Sequence, residues 1–274
     1  MNHLFTVIFF FLCTLSWGQE DVRLSCQVKG NVKSIDITKE ESDEIKGDFL
    51  VDSFDYNMAI TLDKKGRVIK LTSYSEKGKP SDIKETVYDN KNRVAKETVL
   101  FLPEKITRKI SYSYNDKEKK GTAIALSSHE SDEQTKREIT LNDEGLPIKV
   151  IFFDSDGEAF KEISYEYNKN QKLVKSTIYE DGNLKRQVSY KYDDKGRIIE
   201  AKNYYIFFPG GDITYKYVYK DDIYPIEHTA IVGGEDPETL TFKYKFDSKG
   251  NWIEKTYFLD EEAVAIIKRK ITYY

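Results

Sequence analysis

The stretch YKYDDKGRII, Tyr190 to Ile199, decides the fold. Tyr190 and Tyr192 flank the polar Lys191, so the segment alternates with period two, as a strand with one buried face does. Asp193 opens a turn, and Gly196 stands three residues further on. An Asx side chain caps such a turn, and glycine tolerates the positive φ that closes it. Arg197 and Ile198 start the way back, so the stretch reads as a β-hairpin.

Outward from Asp193 the same unit recurs. Its turn openers are Asp63, Asp89, Asn115, Asn142, Asn168, Asp193, Lys220 and Asp247, spaced 25 to 27 residues apart. Just before each opener stands Leu62, Tyr88, Tyr114, Leu141, Tyr167, Tyr192, Tyr219 or Phe246, and the residue two earlier is apolar or aromatic in seven of the eight units. Gly or Asn three residues after the opener occurs in five of the eight units; Glu118 and Ile223 depart, which predicts different turns there. Each returning strand begins near an apolar residue such as Val68, Val94, Leu173, Ile198 or Trp252 and ends near a second turn. Lys29 to Ile35 reads as an extra returning strand, and Val264 to Tyr274 as an extra opening strand. The fold class is therefore all-β: an antiparallel meander of about 16–18 strands built from ~26-residue hairpin repeats. So many strands exceed an open twisted sheet, and the expectation is an open or closed barrel-like curl.

Composition agrees with this reading. Tyr and Phe number 20 and 15 against 6 Pro, and aromatic and β-branched residues suit a pleated surface. Charge is −4 and dispersed, a pattern that does not point to nucleic acid. An apolar run from Leu4 to Leu15, followed by Ser16, Trp17 and Gly18, reads as a secretory signal peptide over residues 1–18, with a single repeat domain at 19–274. The implied location is the periplasm, or the secreted or cell-surface space. After cleavage Cys26 is the one cysteine, so cohesion must come from the sheet rather than from an internal disulfide.

Tyr192, Asp193, Asp194, Lys195, Gly196, Arg197 and Ile198 resemble the core of a YD repeat, the unit of the RHS-type family of secreted and cell-surface bacterial proteins. Phe246 to Trp252 and Tyr88 to Val94 are similar. The resemblance implies β-meanders that wrap into tubes or shells, a scaffold rather than an active site, with carbohydrate contact or containment of another domain as the associated roles.

Functional residues are sought where the repeat fails, because a binding site is usually a local departure from a consensus. The sharpest departure is the run Tyr204, Tyr205, Ile206, Phe207, Phe208, Pro209, Gly210 and Gly211, so Tyr204, Tyr205, Phe207 and Phe208 are the candidate binding residues. The repeated tyrosines read as core. Asp154 to Glu158 resembles a shortened calcium loop but falls where the repeat places a hairpin turn. His129 and His228 have no His or Cys companion at ligand spacing, and no nucleophile or phosphate-loop motif is present. The expectation is a non-enzymatic scaffold or interaction protein without metal or other cofactor, whose partner is an unidentified protein or glycan. The rival readings are a carbohydrate-binding surface protein and an outer-membrane β-barrel. Membrane insertion is disfavoured by Lys191, Lys243 and Lys245 on one face and by Lys84 and Arg137 on the other.

Overall fold

The computed structural model describes residues 27–40, 57–75, 77–128, 135–206, 212–220 and 222–274. The signal-peptide reading, Cys26, most of the acidic connection after Glu40, His129, Phe207 and Phe208 lie outside these residues.

Eighteen strands form one sheet. They are β1 (Val32–Glu40), β2 (Met58–Leu62), β3 (Val68–Tyr74), β4 (Pro80–Tyr88), β5 (Val94–Phe101), β6 (Ile106–Asn115), β7 (Lys120–Ser127), β8 (Thr135–Leu141) and β9 (Pro147–Phe153). Then follow β10 (Ala159–Tyr167), β11 (Leu173–Glu180), β12 (Asn183–Tyr192), β13 (Ile198–Tyr205), β14 (Asp212–Tyr219), β15 (Pro225–Val232), β16 (Glu238–Phe246), β17 (Trp252–Leu259) and β18 (Glu262–Tyr273). Every strand pairs antiparallel with its chain neighbours, and β1 also pairs with β18, from Val32↔Tyr273 to Glu40↔Ile266. The meander is a closed barrel and no edge is left among these strands.

The hairpin grammar explains the register. Asp63 accepts from the Lys65 and Arg67 amides at 2.9 Å each, and the Gly66 amide donates to the Asp63 carbonyl at 2.9 Å. Gly66 has φ 76°, which a side chain rarely adopts. Beyond the turn Leu62 pairs with Val68, and a bulge follows; Tyr88 with Val94 and Tyr192 with Ile198 repeat this arrangement. The third unit differs, as Glu118 predicts. There Lys119, with φ 52°, takes the left-handed place one residue later, and β6 pairs with β7 without a bulge.

The closing pair is itself a ninth unit, divided between the two ends of the strand order. Tyr273 pairs with Val32 and a bulge follows, Gly30 has φ 80°, and the Tyr274 amide donates to the Asn31 carbonyl at 3.0 Å. The same bond closes six of the eight fused turns, as from the Asp63 amide to the Arg67 carbonyl at 2.9 Å. Sequence reading sees two unpartnered strands here; the register makes them one hairpin lacking only its covalent turn.

Alternation sets the two faces. One carries Ile35, Ile37, Ile60, Val150, Ile213 and Leu240, all at or below 2% exposure. All described strands belong to one curved sheet, and side chains converge only on its concave side, so this face lines the interior. Its three apolar clusters each follow consecutive strands and none joins opposite walls: β15 through the seam to β3, β6 to β10, and β12 to β14. Eighteen strands at ~4.8 Å make a perimeter of about 86 Å, so a round section spans roughly 27 Å against the ~10 Å of two packed sheets.

Candidate functional site: clasped rim and inner wall

The repeated tyrosines build a clasp from unit to unit. Tyr88 donates its hydroxyl to the Val68 carbonyl at 2.9 Å, Tyr114 to Val94 at 2.9 Å, Tyr167 to Pro147 at 2.9 Å, Tyr192 to Leu173 at 2.7 Å and Tyr219 to Ile198 at 2.9 Å. The basic residue that leaves the previous turn lies on the ring: Arg67 over Tyr88 at 4.5 Å, Arg93 over Tyr114 at 4.1 Å, Arg197 over Tyr219 at 4.5 Å. The turn aspartate holds that arginine, as Asp63 accepts from Arg67 Nε at 2.8 Å. Burial pushes the carboxyls of Asp63, Asp89 and Asp193 upward, but hydrogen bonds from the arginine and the turn amides outweigh it and leave them below their ordinary value. Burial drives the Tyr114 hydroxyl up to about 12, so it stays a donor at any physiological pH. The Tyr, Asp and Arg of the consensus are thus architectural.

The seam uses the same clasp with different residues. Asn251 is fully buried; its amide donates to the Lys29 carbonyl and to the Tyr273 hydroxyl, at 2.8 Å each, and its Oδ1 accepts from the Lys29 amide at 2.6 Å. Tyr273 donates to Asp247, and Tyr274 donates to the Leu62 carbonyl at 2.6 Å.

The run chosen as candidate site does not form one surface. Tyr204 is 38% exposed on the outer wall, opposite Asp212 and Gln187. Tyr205 faces inward, with the Arg186 guanidinium 4.9 Å from its ring. Strand alternation sends neighbours to opposite faces, so these two tyrosines cannot share a ligand face within the strand. Asp154 to Glu158 is a hairpin turn, with Gly157 at φ 84°. Among the described residues no group of three or more His, Cys, Asp and Glu could hold a metal ion. A shallow depression of about 430 Å³ lies beside Phe160, Tyr179 and Glu162; its one carboxylate is paired with Lys149 at 2.7 Å.

Inner-wall chemistry is concentrated at the end away from the Asp turns. Lys84, Arg108, Arg137, Lys161 and Arg186 sit five or seven residues before their turn openers, one on each of β4, β6, β8, β10 and β12, and all face inward. Lys84 and Glu97 form an ion pair of low exposure, with the Tyr112 hydroxyl donating to Glu97 at 2.7 Å. Lys161 pairs with Glu180 at 2.8 Å. Arg137, 4% exposed, lies 4.8 Å over Phe152, and Arg186 donates to Asn203 at 2.8 Å. The Nε atoms of Arg137 and Arg186 are buried without an acceptor. Lys84 and Arg137 are legible in sequence as breaks in the apolar column; Arg108, Lys161 and Arg186 require following that column one step further from the turn.

Across the barrel β14 to β17 carry an aromatic wall. His228 stacks on Tyr217 at 4.9 Å and 4°, and Lys255 lies 3.7 Å over Phe242 and 4.2 Å over Tyr257. Burial, helped by Lys255, lowers the His228 pKa to about 3, so the ring is neutral.

No family model matches the chain, and no curated protein matches it. Among solved structures it is similar to a porin-like protein from Bacteroides uniformis (13% identity, TM-score 0.45, 88% of this chain and 98% of that one). It is also similar to a porin-like protein from Bacteroides vulgatus (10%, 0.36, 89% and 98%). Similarity to the Photorhabdus luminescens Tc holotoxin pore is 10% at a TM-score of 0.30, over 79% of this chain and 16% of that one.

Proposed function

We propose that the chain is an exported, water-soluble barrel of the YD-like repeat type, a non-enzymatic scaffold or interaction protein of the periplasm or cell surface. The observation that carries this reading is the outer wall. Cross-strand ion pairs stand along it at Lys70–Glu85 (3.4 Å), Lys149–Glu162 (2.7 Å), Lys175–Glu166 (3.3 Å), Lys191–Glu200 (2.8 Å), Lys202–Asp212, Lys245–Glu254 (2.7 Å) and Lys268–Glu40 (2.6 Å). They are spread round the barrel, within the strands. An apolar lipid-facing band has no place for them, since one Lys at a bilayer midplane costs about 2–4 kcal/mol.

Fractionation of cells expressing the full chain tests this. Release by osmotic shock without detergent is the expected result; retention in the membrane until detergent is added would overturn it. The second reading, an outer-membrane barrel, draws on the closure of an even number of antiparallel strands, and it is the one that detergent dependence would support.

A further inference from the structure

At the rim away from the Asp turns, Phe160 breaks the repeat. Eight residues before their turn openers the other units carry Asp55, Ser81, Thr107, Gln134, Lys185, Asp212 and Thr239, all polar, where the unit opened by Asn168 carries this phenylalanine. Phe160 and Tyr179, each 38% exposed, line the depression of about 430 Å³ together with Ile151, Glu162 and Gly182. Ile151 is opposite Glu162, which is opposite Tyr179, so the depression spans three strands of the outer wall, roughly 10 Å from β9 to β11. Acidic turns flank it: Asp154, Asp156 and Glu158 stand between β9 and β10, and Asp181 between β11 and β12, with no Lys or Arg in either turn. The cations beside it are committed, Lys149 to Glu162 at 2.7 Å and Lys161 to Glu180 at 2.8 Å. Among the described residues no Lys or Arg pairs with the four turn carboxylates. At the opposite rim the turn aspartates are already held, as Asp193 is by Arg197 Nε at 2.6 Å.

We infer that this depression docks a cationic, amphipathic peptide segment of a partner protein. An apolar anchor on that segment covers Phe160, Tyr179 and Ile151 and removes their exposed surface from water. Lys or Arg on either side of the anchor meets the carboxylates of the two turns, and such charge complementarity selects the partner. The volume lies near the low end of the range for ligand pockets, which fits one or two anchoring side chains rather than a folded domain. A metal ion needs carboxylates that converge, and among the described residues no such group exists. An anionic lipid surface would meet the same turns with like charge. The inference deepens the reading of the chain as an interaction protein and rests on it, but not on its compartment.

Fluorescence anisotropy on the purified full chain uses a labelled peptide in which Lys alternates with Leu and Phe, with its Glu-for-Lys counterpart and an oligolysine of equal charge as comparisons. The Lys peptide is expected to bind, more weakly as salt rises; the Glu counterpart should be silent and oligolysine about tenfold weaker. Phe160→Ser and Tyr179→Ser should each weaken binding about tenfold, as loss of an aromatic anchor does, with an unchanged circular dichroism spectrum. Phe160→Leu is a second variant, expected to keep most of the affinity. Asp156→Asn and Asp181→Asn should each weaken binding about two- to fivefold, as exposed ion pairs do; Asp181 has φ 49°, which Asn adopts readily. Glu261→Gln, in the acidic turn between β17 and β18, should leave the affinity unchanged. Silence towards the Lys peptide, oligolysine binding as tightly, full affinity in Phe160→Ser, or equal loss in Glu261→Gln would each overturn the inference. A silent peptide would leave release by osmotic shock as it stands, and retention in the membrane would leave the titration as it stands.

Discussion

The wall running from β15 through the seam to β3 and the wall from β4 to β12 are built from one repeat, yet they bury their inner faces differently. Around the seam a single apolar cluster runs unbroken from Tyr224 through Leu240, Trp252 and Ile267 to Ile35, Ile60 and Val68. Between β4 and β12 the corresponding cluster is smaller, and Lys or Arg side chains enter the wall, paired with acids or laid on rings. The difference follows the covalent connections. Eight hairpins are held by turns of a few residues, whereas the ninth must hold β1 against β18 across almost the whole chain, at a larger closure entropy. Continuous apolar burial and the buried Asn251 network stand where no turn does. The cations that do enter the seam cluster are laid on its rings: Arg269, 4% exposed on β18, lies 4.1 Å over Trp252, and Lys255 lies 3.7 Å over Phe242.

The largest expected effect lies at the buried Lys84–Glu97 pair. Glu97→Leu leaves Lys84 in an apolar setting and should cost about 3–5 kcal/mol in urea unfolding, whereas the double substitution with Lys84→Met should recover most of it. A single-variant loss below 1 kcal/mol would mean that the pair is wetter than its burial implies. In the apolar cluster round the seam Ile60→Ala should cost about 2–5 kcal/mol and lower the unfolding midpoint without changing its slope. A lowered slope would instead show the barrel opening at the seam.

Acid should loosen the aromatic wall next. His228 has a depressed folded pKa of about 3 against 6.5 unfolded, so the unfolded chain binds the extra proton first. The associated stability is whole above pH 6.5 and falls as pH drops towards 3, by about 2 kcal/mol at pH 5. His228→Phe should flatten the pH dependence of unfolding in that window; an unaltered profile would place the acid response elsewhere. The smallest effect belongs to the outer wall, where Lys191→Ala should change stability by less than about 1 kcal/mol, because the pair with Glu200 is solvated and screened by salt.

Much of the architecture could be read from particular residues. The openers Asp63 to Asp247 locate the eight fused turns, and the departure at Glu118 marks a turn that differs, whereas beyond the departure at Ile223 Tyr219 pairs with Pro225 in the register of the other units. The aromatic columns locate the inner face, as the clasps of Tyr88 to Tyr219 bear out. The candidate site was less legible. Tyr204 and Tyr205 look like one patch in a linear string, but a strand turns them to opposite walls. The inward cations Lys84, Arg108, Arg137, Lys161 and Arg186 are hard to see as one group because they lie 24 to 29 residues apart and share a wall only through the pairing of successive units.

What the sequence determined alone is everything that depends on residues near one another in the chain: turn chemistry, period-two alternation, strand number and the identity of the buried face. These are local backbone preferences and the pattern of apolar side chains, and they repeat because the unit repeats. Only the tertiary structure decided that the sheet closes, because pairing Val32 with Tyr273 joins residues at opposite ends of the described chain. Closure then decided the rest. It turned one face inward, divided a ninth unit between β1 and β18, and brought cations from five units onto one inner wall.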